Sequence, residues 1–172
     1  MISKAMEIGA IAPSSKILAK AMVDFIDRDK PGLIVELGAG FGAITDELIR
    51  QNYPQERLVI FEIQKLLVNK LHAKYPRATI FDVSAENMYK YLKDKSISTI
   101  ISSLPLRSLP DDVVNRIGKS IIQISNPGTR YIQFTYDLRT KNKTYFKSRL
   151  NHVKSKIVPL NIPPARVDVF VR

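Results

Sequence analysis

One run of eight residues constrains the fold of this chain more than any other feature: Val35-Glu36-Leu37-Gly38-Ala39-Gly40-Phe41-Gly42. The apolar stretch at 33–37 predicts a buried strand, and the spacing of Ile44, Leu48 and Ile49 predicts a helix directly after the glycines. A strand, a glycine turn and a helix together bring backbone close to a nucleotide-like ligand, because glycine has no Cβ atom to keep the ligand away. A tight turn of this kind can also bind nothing, so the motif needs support from elsewhere.

Two acidic residues that end later strands supply that support. Glu62 ends the apolar stretch 58–62, 20 residues after Gly42, where a carboxylate can accept hydrogen bonds from both ribose hydroxyls. Asp82 ends the stretch 78–82, where a carboxylate can meet an adenine amino group. Each acid alone fits a solvated strand end, but the three signals in this order favour an adenosine site. The GxGxG spacing is typical of S-adenosylmethionine (SAM) enzymes, whose cofactor lacks the pyrophosphate that GxGxxG turns bind.

The composition excludes several other kinds of site. The 172 residues include no cysteine, which excludes disulfides, thiolate zinc sites and cysteine nucleophiles. The two histidines, His72 and His152, have no acidic partner at metal-ligand spacing, so we predict surface positions for both and no metal site. No stretch reaches the ~18 apolar residues of a membrane span, and the N-terminus lacks a signal-peptide pattern, so we expect a cytoplasmic protein.

Positive charge is concentrated near the C-terminus. The net charge is +11, and nine Lys or Arg residues in 138–172 stand against Asp168 alone. Such a block attracts polyanions, either nucleic acid or an anionic bilayer. A polyanionic partner is therefore favoured over a merely solubilising surface, and we expect the basic segment 139–156 to contact it.

The order of the predicted elements gives the fold class. Periodicity and turn residues predict helices over 13–27, 43–50, around 66–71, 85–92, 110–124 and 141–150, and strands over 33–37, 58–62, 78–82, 97–102, 131–136, 153–160 and 166–171. This alternation predicts a three-layer, Rossmann-like α/β sheet that is mostly parallel, with an antiparallel C-terminal strand pair. We predict one domain over 1–172, with an N-terminal helix region at 1–30 and a basic C-terminal part at 138–172.

Five stretches make the chain resemble a known family. They are GAIAPSS at 9–15, the glycine turn at 35–42, the SxLPLxxLP pattern at 102–110, QFTY at 133–136 and NIPPARV at 161–167. The glycine turn resembles that of the class I SAM-dependent methyltransferases in general. Together the five stretches resemble the bacterial phospholipid N-methyltransferases, which methylate phosphatidylethanolamine. The resemblance implies SAM as cofactor, S-adenosylhomocysteine as product, and methyl transfer to a lipid amine by an enzyme peripherally associated with the inner face of the membrane.

The resemblance also implies roles for individual residues. It places the SAM site at Pro13, Ser14, Glu36, Gly38, Gly40, Gly42, Glu62, Ile63, Asp82, Val83 and Ser103. It places Ser103, Leu104 and Tyr136 beside the transferred methyl, and Arg107, Tyr136 and Arg166 at the lipid head group. A guanidinium can bind phosphate through two hydrogen bonds, although Arg166 fits a surface arginine at the start of an edge strand equally well. Tyr136 equally fits a core-edge tyrosine. No residue is a committed general base.

Departures from the family pattern concern the acceptor and the membrane. Eight residues precede Gly9, so the N-terminal amphipathic helix that helps relatives sit on membranes is expected to be short or missing. The loop after Tyr136 is basic where relatives tend to be proline-rich. Arg107 and Ser108 stand where relatives tend to have Leu and Asn.

Two other functions stay open at this point. The core of the chain also resembles RNA adenine N6-methyltransferases, and the positive charge fits an RNA substrate. Against RNA, Leu106 stands where those enzymes have an aromatic residue that can stack on a flipped base, and we expect no counterpart of the additional RNA-binding domain that they carry. A non-enzymatic membrane-binding or RNA-binding module that has kept the fold is the second alternative.

Overall fold

The structure of the chain, a computed structural model, describes residues 13–139 and 149–172, with side chains from Lys16 onward. The described residues include these seven strands: β1 (Leu33–Leu37), β2 (Leu58–Phe61), β3 (Thr79–Phe81), β4 (Ile97–Ser102), β5 (Arg130–Thr135), β6 (Asn151–Val158) and β7 (Ala165–Val171). The α-helices are α1 (Pro13–Val23), α2 (Ala43–Arg50), α3 (Lys65–Lys74), α4 (Tyr89–Leu92) and α5 (Asp111–Ile124). Short 3-10 turns lie at Gln55–Arg57, Ala85–Asn87 and Leu106–Ser108.

The strands form one sheet in the order β3-β2-β1-β4-β5-β7-β6. Neighbours from β3 through β5 pair in parallel, whereas β7 is antiparallel to both β5 and β6. The predicted α/β class, with its antiparallel C-terminal pair, is confirmed. The strand order reverses between β1 and β4, which is where open α/β sheets bind ligands.

The core lies on both faces of the sheet because neighbouring side chains of a strand point to opposite sides. On one face, Ile34 packs in a cluster with Met22 of α1 and Leu48 of α2. On the other, Val35 packs in a cluster with Ile117 and other residues of α5. These two layers of helices fix the strand ends that carry the site. Within residues 13–139 and 149–172, no helix is both long and apolar enough to cross a lipid bilayer.

One edge of the sheet gathers the functional segments. We call it the carboxyl edge, and it is formed by the last residues of β1–β5, namely Leu37, Phe61, Phe81, Ser102 and Thr135. Antiparallel pairing places the start of β7 and the end of β6 at this edge as well, because Thr135 pairs with Arg166 and Val158 pairs with Ala165. The turn between β6 and β7, residues 159–164, therefore lies at the carboxyl edge.

The predicted elements differ from the structure mainly at their ends. The first helix ends at Val23 rather than near Asp27, because the chain continues in tighter turns with bonds from the Phe25 N–H to the Met22 carbonyl and from the Ile26 N–H to the Val23 carbonyl. The predicted helix at 85–92 is a 3-10 turn followed by the four residues of α4. The predicted helix at 141–150 falls almost entirely outside the described residues.

Candidate active site

The glycine turn connects β1 to α2 and has a left-handed backbone at each of its three glycines. Gly38, Gly40 and Gly42 have φ angles of 71°, 56° and 83°, in the region that L residues with side chains rarely adopt. The Gly38 N–H donates to the Phe61 carbonyl at 2.9 Å, and the Gly42 N–H donates to the Ala39 carbonyl at 2.8 Å. The turn is therefore stabilised by one hydrogen bond to β2 and by one within the turn.

The three glycines differ in what surrounds them. A Cβ atom on Gly38 would lie 2.7 Å from the Leu104 Cδ2, and one on Gly42 would lie 2.5 Å from the Tyr75 hydroxyl oxygen. A Cβ atom on Gly40 would meet no atom within 4 Å. The packing of the protein itself therefore requires Gly38 and Gly42, whereas Gly40 borders open space that a ligand can enter.

Glu62 lies at the end of β2, as predicted, and its carboxylate holds the glycine turn. One oxygen accepts the Gly40 N–H at 2.9 Å, and the other accepts the N–H groups of Ile63 and Gln64 at 2.8 and 2.9 Å. The side chain is buried. Because each carboxylate oxygen can accept more than one hydrogen bond, these contacts leave acceptor capacity for ribose hydroxyls.

Glu36 is a buried carboxylate with one unsatisfied oxygen. Its Oε2 accepts a hydrogen bond from the Thr45 hydroxyl at 2.6 Å, whereas its Oε1 has no partner among the described residues. Burial raises the pKa of Glu36 to about 7, against the opposing effect of the Thr45 hydrogen bond and with smaller contributions from the charges of Asp46 and Glu62. A buried acceptor without a donor is costly, so this oxygen is suited to a cationic ligand group.

The remaining residues predicted for the cofactor lie around the same part of the carboxyl edge. Asp82 is exposed directly after β3, and Val83 is half-buried against the α5-side cluster. Ile63 follows Glu62 with its side chain exposed. Pro13 and Ser14 begin α1, and their side chains lie outside the described set.

The loop after β4 packs directly on the glycine turn. The Ser103 N–H donates to the Leu37 carbonyl at 2.9 Å, and the Leu104 side chain fills the space beside Gly38. The Leu104 carbonyl accepts hydrogen bonds from the Gln133 side-chain amide at 3.1 Å and from the Leu106 N–H at 2.9 Å. Gln133 is a functional residue that the sequence-based predictions do not include, although it lies in the QFTY stretch.

A cavity of about 910 Å³ opens between this loop and the ends of β5 and β7. We call it the acceptor cavity, and its lining includes Leu104, Arg107, Tyr136, Arg166 and Asp168. It therefore brings together two of the three residues predicted beside the methyl group and all three predicted for the head group. Ser103 does not line it.

The arginines of the acceptor cavity are paired with aspartates. The Arg166 Nε and Nη2 atoms each lie 2.9 Å from a different oxygen of Asp168, and both side chains are buried. The Arg107 Nη1 lies 2.5 Å from the Asp137 Oδ2 at a more exposed position. Because β7 lies inside the sheet rather than at its edge, the interpretation of Arg166 as a surface arginine on an edge strand is wrong.

Asp168 also joins a polar row on β6. The Ser155 hydroxyl donates to Asp168 at 2.5 Å and lies 2.9 Å from the His152 Nε2. His152 is half-buried rather than at the surface as predicted, whereas His72 is exposed. In a strand, residues i and i+2 share a face, so the spacing of Arg166 and Asp168 was a readable signal for their pairing.

Comparison with known proteins bears on the fold and the class of enzyme. No family model matches the chain. The chain is 25% identical over 164 residues to an ornithine lipid N-methyltransferase of Singulisphaera acidiphila, covering 92% of this chain and 85% of that protein. It is 29% identical over 109 residues to a ribosomal RNA small subunit methyltransferase A of Hydrogenobaculum sp., covering 61% of this chain but only 40% of that protein.

A solved structure extends the comparison. The magnesium protoporphyrin IX methyltransferase of Synechocystis PCC 6803, with bound SAM, matches 92% of this chain and 80% of its own with a TM-score of 0.68 and 13% identity. The chain has the fold of the class I SAM-dependent methyltransferases. The predicted resemblance to these methyltransferases is thus confirmed, and SAM, converted to S-adenosylhomocysteine, is the expected cofactor.

Proposed function

We propose that the chain is a SAM-dependent N-methyltransferase that methylates the amine of phosphatidylethanolamine-type phospholipids at a membrane surface. One observation carries the proposal. Leu104 lies between the glycine turn and the acceptor cavity, because its side chain contacts Gly38 of the turn and also lines the cavity. A cofactor at the glycine turn and an acceptor in the cavity would meet at this residue.

The residues at the glycine turn fit SAM. The open space beside Gly40 can admit it, and the unsatisfied Glu36 oxygen can balance the ammonium of its amino-acid part. Glu62 would accept hydrogen bonds from the ribose, and Asp82 with Val83 and Ile63 would contact the adenine. When bound, SAM supplies a methyl group that is already activated on a sulfonium.

The contribution of the protein is then mainly proximity and alignment. Gln133 fixes the Leu104 carbonyl, and thereby the position of Leu104 between the glycine turn and the acceptor cavity. The Leu104 carbonyl already accepts two hydrogen bonds, so the hydroxyl of the cavity-lining residue Tyr136 is the better acceptor for an incoming ammonium. Tyr136 is exposed at the cavity and packs edge-on against Phe134 at 5.2 Å. Water reaching the open cavity can take the proton that the amine must lose before attack.

The relative that aligns over most of its own length favours a lipid amine. That relative is named as an N-methyltransferase of ornithine lipid, so its name gives a lipid acceptor that is methylated on nitrogen. Within the basic segment 139–156, the described residues Arg139, Arg149, Lys154 and Lys156 are all exposed, as an anionic bilayer contact requires.

RNA is the second candidate substrate, because relatives named as ribosomal RNA methyltransferases align with this chain. The acceptor loop argues against it. Leu106 is only 4% exposed and packs in the core cluster beneath α5, so this position cannot stack on a base. A non-enzymatic module is the third candidate, and the intact glycine turn with both glutamates argues against lost SAM binding.

The test is transfer of labelled methyl from SAM to phosphatidylethanolamine vesicles, with and without anionic lipid. Ornithine-lipid vesicles and a structured RNA serve as parallel acceptors, and the Gly40→Val variant, which fills the open space at the glycine turn, serves as the inactive control. We expect label in phosphatidylethanolamine with the wild-type chain alone. Label only in ornithine lipid would move the acceptor to that lipid, and label only in RNA would overturn the lipid proposal. SAM binding with no labelled acceptor would support SAM as the cofactor and would contradict all three acceptors tested.

A further inference from the structure

The two most exposed large apolar side chains among the described residues lie in one turn. Ile162 is 82% exposed and Leu160 is 73% exposed, and both belong to the β6–β7 turn at 159–164. Two large apolar side chains that are this exposed in one turn indicate a contact with another molecule or with a membrane.

The exposure is a property of a fixed turn. Asn161, between the two residues, is buried. Its backbone N–H donates to the Val158 carbonyl at 3.2 Å, and its side-chain amide donates to the Pro163 carbonyl at 2.6 Å. Because the middle residue is anchored inward, the side chains on either side of it are held outward.

The position of the turn connects it to the acceptor cavity. It lies at the carboxyl edge, and Ile157, which is also exposed, pairs with the cavity residue Arg166. Tyr136 and Leu138 line the cavity and are exposed as well. Exposed apolar side chains therefore extend from the cavity to the tip of the turn.

The charge around the turn favours an anionic bilayer as its partner. Between Arg149 and Ala165 the chain has no acidic residue, and Lys154 and Lys156 of β6 are both exposed. Apolar side chains that project from a turn beside cations are suited to a lipid interface, where the side chains enter the acyl region and the cations stay among anionic head groups.

We propose that the β6–β7 turn is the membrane-inserting element of this protein, with Leu160 and Ile162 entering an anionic bilayer and holding the acceptor cavity against it. The inference rests on the proposed function, because a lipid acceptor is the reason for the cavity to face a membrane. The inference itself concerns only the binding of the turn to the bilayer. The turn adds an apolar contact to the electrostatic contact expected of the basic segment 139–156.

The chain has no tryptophan, so a single introduced indole reports its own surroundings. In vesicles of phosphatidylethanolamine with phosphatidylglycerol, and without SAM, we expect the fluorescence of Ile162→Trp to shift to the blue. The matched control is Val153→Trp, because Val153 is 57% exposed near the opposite end of β6. No shift with Ile162→Trp, or an equal shift with Val153→Trp, would overturn the proposal. A shift in buffer that grows with protein concentration would indicate a second copy instead, and a shift with RNA alone would indicate nucleic acid.

A loss-of-function pair completes the test. We expect Leu160→Ser with Ile162→Ser to lower the vesicle partition coefficient at least about tenfold, and Val153→Ser to leave it unchanged. SAM affinity, measured by calorimetry, should be unchanged in all variants. Unaltered vesicle binding by the double variant would contradict the insertion. If the wild-type chain binds vesicles through this turn but methylates no lipid, the proposed function fails while the inference stands.

Discussion

The glycine turn and the acceptor cavity, the two sides of the carboxyl edge, differ in whether their charged side chains are paired. On the cofactor side, Glu36 is buried with one oxygen that has no partner among the described residues, and Glu62 accepts hydrogen bonds from three backbone N–H groups. On the acceptor side, Arg166 and Arg107 line a wide cavity, and each is paired directly with an aspartate. Both sides carry ionisable groups. On the cofactor side, the Glu36 Oε1 has no partner among the described residues and can therefore bind a cationic group of a ligand.

This difference indicates how each side selects its ligand. An unsatisfied buried carboxylate favours a ligand with a cationic group at one point, which is a strict requirement. Charges that already satisfy one another leave selection to the shape of the cavity and to the surface around its mouth. A few atoms around Glu36 therefore determine which cofactor fits, whereas the choice of acceptor depends on the shape of the cavity and on the surface along the carboxyl edge.

The largest expected effect lies on the acceptor side, with Asp168→Asn. This change removes the carboxylate partner of buried Arg166, and breaking a buried pair costs about 3–5 kcal/mol of the free energy of unfolding. Asp137→Asn breaks the more exposed pair with Arg107 and should cost about 1 kcal/mol or less. Urea unfolding measures both. Similar losses for the two variants would mean that burial does not distinguish the two pairs.

The next effect lies on the cofactor side and depends on pH. The native pKa of Glu36 is raised from 4.5 to about 7, so the native state holds a proton between these values that the unfolded state has released. Its contribution to the free energy of unfolding should therefore fall by about 3 kcal/mol as the pH rises from 4.5 to 7. The difference between the wild-type and Glu36→Gln stability curves isolates this contribution. A pH-independent difference would contradict the raised pKa.

The same group should make SAM binding pH-dependent. A cationic ligand favours the ionised form of Glu36, so the affinity for SAM should rise about tenfold from pH 6 to pH 8. Calorimetric titration at the two pH values measures the rise. Glu36→Gln should bind SAM more weakly and without this dependence, and an equal rise in that variant would assign it to another group.

Two glycine variants should separate packing from ligand binding. Gly42→Ala should lower the free energy of unfolding by about 3 kcal/mol, because left-handed strain adds to the contact with Tyr75. Gly40→Ala should cost only about 1 kcal/mol of strain but should weaken SAM binding more than its cost in stability implies. Thermal unfolding and SAM titration of both variants give the comparison. Equal SAM affinity in Gly40→Ala and wild type would mean that SAM does not enter the space beside Gly40.

The last expected effect concerns Leu104, which separates the glycine turn from the acceptor cavity. Gln133→Glu keeps the side-chain length and an acceptor for the Tyr131 hydroxyl, but it removes the donor to the Leu104 carbonyl. We expect kcat to fall about tenfold, which is ~1.4 kcal/mol, with the KM for SAM unchanged. A rise in that KM with kcat unchanged would place Gln133 at the cofactor rather than between cofactor and acceptor.

Local patterns predicted much of the fold. The glycine turn follows β1 and precedes α2 because both elements have clear periodicity, and the missing helix between the last two strands predicted their antiparallel pairing. The site was less predictable, because its geometry depends on contacts between distant residues. No local pattern indicates that Tyr75 requires Gly42 or that Thr45 holds Glu36, whereas the i, i+2 spacing of Arg166 and Asp168 does indicate their pairing.

The contact between Gly42 and Tyr75 has a consequence for how sequences of this kind can vary. The Tyr75 hydroxyl lies 3.0 Å from the Gly42 carbonyl and 2.7 Å from the Asp46 Oδ1, so the tyrosine occupies the place that a side chain at 42 would need. A larger residue at 42 can be accepted only if 75 becomes smaller at the same time. In an alignment of relatives, these two positions, 33 residues apart, should therefore covary, and relatives that have lost the third glycine should also lack the tyrosine.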